Sequence, residues 1–201
     1  MNRITAKTGS AIVTLTVFLF AVFILTKFSL GQYFVCLLLP LGFIMMTAGL
    51  HHESADDRRV PANAGLVISG VYAVTVMLVY FSQCTTVSNE ELSEQASRIL
   101  VFGRGGLIFN YDLLGYGIMA LSTFFTGLAF KAEDKPDKWL KWLLIIHGAF
   151  FPGCIIMPMT GMFINMSESS GGGGNIALLI WCVYFLPIGV LAFGHFGKTG
   201  K

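Results

Sequence analysis

Asp112 is the residue whose type and position most suggest chemistry. The other ten of the eleven carboxylates lie in hydrophilic connections, whereas Asp112 lies where an apolar run has already begun. An ionisable residue inside an apolar segment is costly, and such residues commonly mark ion or proton sites. Asn110 and Tyr116 would add polar groups nearby. The first hypothesis is therefore a ligand, ion or proton site at Asp112.

A structural explanation of Asp112 competes with this hypothesis. The segment from Leu113 to Phe130 is an uncharged run of 18 residues, which can just cross a bilayer core by itself. Asn110 would then cap the helix, and Asp112 would lie in its first turn, where the helix dipole favours a negative charge. Both interpretations place Asp112 near the outer end of its helix.

The fifth apolar run is interrupted by Pro152 and Pro158 and contains His147. A proline removes one backbone hydrogen bond and loosens the carbonyl four residues earlier, so a neutral imidazole at His147 could bond a loosened carbonyl. Interrupted helices form ligand sites in many transporters, but prolines in membrane helices also serve packing alone. The hypothetical ligand path comprises Asp112, Asn110, Tyr116, His147, Pro152 and Pro158. Asp112 and His147 would differ in depth by roughly 10 Å and would not bond directly.

His51, His52 and Glu53 are weak candidates for metal ligands. Adjacent histidines on a helix point about 100° apart, and no H-x-x-x-H or H-E-x-x-H spacing brings two imidazoles onto one face. Solvation at a helix end explains these residues more simply. We expect no bound metal, no other cofactor and no catalytic set, because the chain also lacks a nucleophile with its base and a nucleotide motif.

Composition indicates a membrane protein. Hydrophobic residues make up 55% of the 201 residues and charged residues only 12%, which is far from a soluble domain. A helix needs roughly 20 apolar residues to cross a hydrocarbon core of about 30 Å, and six runs have this length. We predict an all-α, polytopic transmembrane bundle of six helices in a single domain, residues 1–201, with spans at about 10–30, 33–50, 64–83, 107–130, 139–163 and 175–197.

Basic residues predict the orientation, because Lys and Arg near helix ends stay on the cytoplasmic side. Ten of the thirteen lie on one predicted side: Arg3, Lys7, Arg58, Arg59, Lys131, Lys135, Lys138, Lys141, Lys198 and Lys201. Both termini are therefore predicted to be cytoplasmic, and the compact loops suit a bacterial inner membrane. The net charge of +2 follows from this asymmetry and indicates contact with lipid head groups rather than nucleic acid.

The connection between the third and fourth runs predicts a short amphipathic helix at about 89–101. Ser88 and Glu91 have the spacing of a capping box. Leu92, Ala96 and Ile99 then recur at helical spacing. We expect this helix to lie on the outer membrane surface.

Small residues indicate which helix faces come together, because close backbone approach supplies the contact energy between helices in lipid. Gly65, Ser69 and Ala73 recur every four residues in the third run, and Thr123 and Gly127 lie on one face of the fourth. Such faces would serve packing within the bundle or contact with another membrane protein.

Three functions are consistent with these patterns. The first is an accessory or regulatory membrane subunit that acts through helix contacts, with the lipid bilayer and another membrane protein or a second copy as partners. The alternative is a small-molecule or ion transporter, or a channel subunit, that uses Asp112 and the proline-broken fifth helix. A second alternative is a membrane-embedded enzyme at the cytoplasmic face.

Overall fold

The computed structural model describes residues 1–103, 105–163 and 171–198, with only the backbone at 171–173. These residues contain helices and no strands. The helices are α1 (Asn2–Leu25), α2 (Ser29–His52), α3 (Arg59–Cys84), α4 (Thr86–Asn89), α5 (Glu94–Leu100), α6 (Leu107–Ala129), α7 (Lys135–His147), α8 (Phe150–Met159) and α9 (Gly171–Gly197), and a 3-10 turn at Asp56–Arg58 precedes α3.

Six segments are long and apolar enough to cross a membrane. They are α1, α2, α3, α6, α7 together with α8, and α9. The predicted all-α class is confirmed, and the described residues contain the predicted number of six segments that could cross a membrane.

The predicted boundary between the first two spans is wrong. The chain turns between Leu25 and Ser29, where Lys27 adopts a left-handed conformation with φ 56°. The Phe23 and Phe28 rings meet edge to face at 5.3 Å between centroids, and the side-chain amide of Gln32 donates to the Phe23 carbonyl at 3.0 Å. Thr26 and Lys27 are the polar residues at this turn, and the predicted first span runs past them to about residue 30 because apolar Phe28 and Leu30 follow.

The spanning segments form a closed ring. Neighbours along the chain pack together, from α1 through α2, α3 and α6 to the α7 and α8 pair, and α9 packs against both α7 and α1. The inward side chains of the ring include Phe43, Tyr72, Met119 and Phe185, all fully buried. The ring surrounds a filled aromatic interior that receives residues from α2, α3, α6 and α9.

Glycines allow the close approach of adjacent helices. A Cβ at Gly9 would lie 2.7 Å from the Gly42 carbonyl oxygen, which brings α1 and α2 into backbone contact. A Cβ at Gly65 would lie 2.5 Å from Thr126 Oγ1, and the Ser122 hydroxyl donates to the Gly65 carbonyl at 2.7 Å. Such packing replaces the hydrophobic driving force that is absent in lipid.

The loop between α3 and α6 differs from its prediction. Of the helix predicted at 89–101, only the part at Glu94–Leu100 (α5) forms; α4 (Thr86–Asn89) ends where the predicted helix begins, and residues 90–93 are not helical. Ser93 rather than Ser88 caps α5, because its hydroxyl accepts from the Ala96 amide at 3.3 Å, while Ser88 donates to the Gln83 carbonyl at 2.6 Å. Turning Ser88 toward α3 removes it from the predicted capping box.

Gln83 fixes the far end of the same loop. Its amide nitrogen donates to the Leu100 carbonyl at 2.8 Å, and its amide oxygen accepts from the Phe102 amide at 3.0 Å. Gln83 is 1% exposed. The end of α3 is therefore bonded directly to the segment that leads into α6.

The fifth span is broken between His147 and Phe150. Pro152 cannot donate to the Gly148 carbonyl, which instead accepts from the Phe151 amide at 3.1 Å. A Cβ at Gly148 would lie 2.7 Å from the Phe124 Cβ, so the break lies close against α6. Pro158 lies inside α8, which continues through it to Met159.

Candidate functional site

Asp112 lies in the second turn of α6. The helix begins at Leu107 with Gly106 as its N-cap, and its first turn contains no acidic residue. The predicted Asn110 cap is therefore wrong. Asn110 lies inside the helix, and its side-chain amide donates to the Gly105 carbonyl at 3.4 Å. Gly105, at φ 74°, allows the chain to turn early, which starts the helix before Asn110. Asp112 is then about 8 Å along the helix axis from its start.

Asp112 is buried among tyrosines. The carboxylate is 7% exposed, and the Tyr80 hydroxyl of α3 lies beside it. Tyr72 and Tyr116 lie close enough for electrostatic interaction with Asp112. Cys36 of α2 completes the group, because its sulfur accepts from the Tyr116 hydroxyl at 3.6 Å. We call these five residues the Asp112 cluster.

Two polar atoms of the Asp112 cluster have no hydrogen-bond partner in the described structure. They are Asp112 Oδ1 and the Tyr72 hydroxyl oxygen. No ion pair among the described residues includes Asp112. An unpaired buried carboxylate is costly as an anion. Asp112 can be accommodated by taking up a proton or by binding a cation. The nearby hydroxyl oxygens can accept a hydrogen bond from the protonated carboxyl group or coordinate the cation.

His147 is bonded on both sides of its ring. Its Nε2 accepts from the Trp181 indole N–H at 3.1 Å, and its Nδ1 lies 2.8 Å from Thr123 Oγ1. The indole can only donate, so Nε2 is unprotonated and Nδ1 carries the hydrogen. The Thr123 hydroxyl accepts from Nδ1 and donates its own hydrogen bond to the Ala120 carbonyl at 2.8 Å. His147 is thus a satisfied, neutral link between α6, α7 and α9.

The predicted ligand path is brought together only in part. The Trp181 ring bonds His147 and meets the Tyr116 ring edge to face at 5.3 Å, which connects His147 to the Asp112 cluster through aromatic contact. Asn110 lies near the start of α6. Pro152 and Pro158 lie in α8, which has no buried residue.

The predicted small-residue faces lie between helices of this chain. Gly65, Ser69 and Ala73 are buried in α3, and the Thr47 hydroxyl of α2 donates to Ser69 Oγ at 3.2 Å. A Cβ at Gly127 would lie 2.9 Å from the Ile145 amide nitrogen, so this position adjoins α7.

A second polar group occupies the end of the bundle where α1 begins and α9 ends; we call this end the basic end. His195 is 7% exposed. Its Nδ1 lies 2.9 Å from Asp137 Oδ1 of α7, and its Nε2 lies 2.7 Å from Glu53 Oε2, just after α2. The His195 imidazole therefore joins carboxylates from two different parts of the helical bundle.

Three further charges complete this group. Arg3 Nε lies 3.1 Å from Glu53 Oε1, and the Arg3 guanidinium donates to the His195 carbonyl at 3.0 Å. The Lys198 ammonium donates to Asp137 Oδ1 at 2.7 Å and pairs with Asp134 Oδ2 at 2.8 Å. Together, Arg3, Glu53, Asp134, Asp137, His195 and Lys198 form what we call the His195 network.

The network shifts the titration of its members outside the spans. The hydrogen bond from His195 is the main cause that holds the pKa of Glu53 below its ordinary value, and the charge of Arg3 adds to it. Burial lowers the pKa of Lys198, but hydrogen bonds to Asp134 and Asp137 outweigh burial and raise that pKa above its ordinary value. Each charged form is stabilised by its partners.

The three weak candidates for metal ligands, His51, His52 and Glu53, each bond a different residue. His51 Nε2 lies 2.6 Å from Asn63 Oδ1, His52 Nε2 lies 3.0 Å from Asn2 Nδ2, and Glu53 bonds His195. Among the described residues, no three His, Cys, Asp or Glu side chains are grouped so that they could hold a metal ion.

Sequence reasoning missed Asp137 and the role of His195. In the sequence, Asp137 is one of the carboxylates of the hydrophilic connections, yet in the structure it is 1% exposed. One local signal was available: Asp134 caps α7 by accepting from the Asp137 amide at 3.0 Å, and an N-cap at that spacing is readable from sequence. Its pairing with His195, 58 positions away, is not.

The helix lengths and composition define the class, a candidate multi-span membrane protein with six apolar helices that could cross a bilayer. Comparison with known proteins finds no matching family model, no matching curated protein and no matching solved structure.

Proposed function

We propose that the protein is a multi-pass transport protein that binds a proton or a small cation at the Asp112 cluster. The observation that carries this proposal is the buried Asp112 carboxylate, whose Oδ1 has no partner beside the similarly unpartnered Tyr72 hydroxyl. Ionisable residues inside membrane helix bundles usually mark ion or proton pathways. The basic end is cytoplasmic in this proposal, which places Asp112 toward the outside of a bacterial inner membrane.

The distribution of small residues favours this function over an accessory role through α3. Gly65, Ser69 and Ala73 were candidates for contact with another protein, yet all three are buried in the bundle. The α3 stripe therefore offers no free face. A buried carboxylate oxygen that lacks a partner, in contrast, still has binding capacity.

The test is the Asp112→Asn variant in proteoliposomes. Proton movement is followed with an internal pH dye, and uptake of radioactive sodium and rubidium and of a fluorescent organic cation is measured in parallel. We expect the wild type to move at least one of these ions and Asp112→Asn to lose that movement at unchanged abundance. Infrared spectra across a pH or cation jump should also lose a carboxyl band in the variant.

Asp57→Asn is the matched control, because Asp57 is an exposed carboxylate whose side chain lies 3.9 Å from Arg58. It should transport like the wild type. Normal ion movement in Asp112→Asn would exclude Asp112 as the binding residue. A wild type that moves none of the four probes and shows no carboxyl band would exclude the transport proposal.

An accessory role stays as a second candidate because of one observation. The α8 half of the fifth span has no buried residue, and Ile156 and Met159 are exposed on it. If another membrane protein is the partner, α8 is its contact surface, and a Met159 photocrosslinker should capture that protein in native membranes. Crosslinks to lipid alone would exclude this role for α8.

A further inference from the structure

We propose that the His195 network is a protonation-controlled clamp that holds the end of α9 against α2 and α7. This proposal is independent of the function of Asp112. It starts from the geometry of one ring, in which both imidazole nitrogens of His195 lie within 2.9 Å of a carboxylate oxygen. The two carboxylates, Glu53 and Asp137, come from two different segments, the residue after α2 and the first turn of α7.

Two hydrogen bonds from His195 to ionised carboxylates require a protonated, positively charged imidazole. An ionised carboxylate only accepts hydrogen bonds, and a neutral imidazole has a single N–H. Both contacts can therefore be hydrogen bonds at once only if both ring nitrogens are protonated. The arrangement in the structure is that of an imidazolium between two carboxylates.

The charges of the His195 network sum to zero when His195 is protonated, and they do not when His195 is neutral. Arg3, His195 and Lys198 supply three positive charges, and Glu53, Asp134 and Asp137 supply three negative ones. A neutral His195 leaves one negative charge in excess. It also leaves one carboxylate oxygen without the hydrogen bond from the imidazole, so that Glu53 Oε2 has no donor or Asp137 Oδ1 keeps only Lys198, at a ring whose side chain is 8% exposed.

The other groups around His195 do not replace the lost proton. The Phe130 ring, just after α6, meets the imidazole edge to face at 5.0 Å, and Phe196 does so at 5.2 Å. From α1, Arg3 already forms an ion pair with Glu53 and donates to the His195 carbonyl. Lys7 of α1 lies over the Phe193 ring at 4.7 Å, on another face of α9.

Loss of the proton therefore weakens the attachment of α9 at the basic end. Farther along the seam, α9 stays bonded to α7 through the Tyr184 hydroxyl, which donates to the Leu143 carbonyl at 2.6 Å, and through Trp181, which donates to His147. These neutral contacts do not titrate with His195. The clamp accordingly releases the last turns of α9 and leaves its middle in place.

Electron spin resonance distances between α7 and α9 test the clamp. Spin-labelled non-canonical amino acids at Lys138, which is exposed, and at Gly194, where a Cβ meets nothing within 4 Å, leave the cysteines untouched. We expect one short distance near pH ~5.5 and a second, longer population that grows toward pH ~9.5. The ratio of open to closed forms should rise about tenfold or more, the effect of one lost hydrogen bond to a charged group.

Variants assign the titration to His195. His195→Gln should give the longer distance at all pH values, and His52→Gln, at the same end but bonded to Asn2, should behave like the wild type. Glu53→Gln should move the midpoint to lower pH, because it removes one carboxylate that stabilises the imidazolium. A wild-type distance that does not change with pH would overturn the clamp even if His195→Gln fails to fold. An unchanged pH response in His195→Gln would overturn it as well.

Discussion

Replacing Asp137 with Asn should destabilise the protein strongly for a single-atom change. Asp137 is 1% exposed and accepts charge-assisted hydrogen bonds from His195 at 2.9 Å and Lys198 at 2.7 Å. Each such bond contributes about 1.5–3 kcal/mol, although Lys198 is partly exposed and its share is reduced by solvent screening. The amide oxygen of Asn can keep one of the two donors. We therefore expect a loss of about 3 kcal/mol in the free energy of unfolding, in the range for a broken buried pair.

The assay is reversible unfolding in mixed micelles, followed by tryptophan fluorescence. Asp56→Asn is the matched control, since Asp56 pairs with Arg59 at 2.6 Å but its side chain is 88% exposed. An exposed pair contributes about 0.2–1 kcal/mol. If Asp137→Asn and Asp56→Asn lose the same stability, the contacts of Asp137 contribute no more than surface contacts, and the reasoning from burial is refuted.

Two further predictions concern packing and acid stability. Gly65→Ala should destabilise by about 1–3 kcal/mol because its Cβ would lie 2.5 Å from Thr126 Oγ1. Gly70→Ala, in the same helix with nothing within 4 Å, should be neutral or stabilising by up to about 1 kcal/mol, and equal effects in the same unfolding assay would contradict the contact. The pKa of Glu53 is lowered chiefly by the hydrogen bond from His195, so Glu53 contributes stability above its unfolded-state pKa. That contribution should disappear as the pH falls through the folded-state pKa, and Glu53→Gln should lack this acid-dependent loss when unfolding midpoints are compared across pH.

The number of spans could be predicted because it depends on apolar length alone. Local details failed where two nearby residues compete for one role. Ser93 caps α5 although Ser88 has the better motif, and Gly106 begins α6 although Asn110 is the better capping residue. In each case the backbone of the preceding loop decides, and composition does not report it.

The two polar groups differ in how far sequence could reach them. Asp112 was recognisable because a carboxylate in an apolar run is conspicuous. Tyr116 was recognisable with it, because it lies one turn farther along the same helix, whereas Tyr72 and Tyr80 come from α3 and were not, since aromatic residues are common in every span. Glu53 and His195 are separated by 142 positions, and each looks like an ordinary polar residue at a helix end. Only closure of the ring brings them together.

The break in the fifth span makes its hydrogen bonding depend on the sixth. Its two halves have 13 and 10 residues, about 20 Å and 15 Å of helix, so neither crosses a hydrocarbon core of about 30 Å alone. The Leu143 carbonyl and His147 Nε2 accept their side-chain hydrogen bonds from Tyr184 and Trp181, both on α9. Because α9 follows α7 along the chain, these two donors become available to the fifth span only once the sixth is in place beside it.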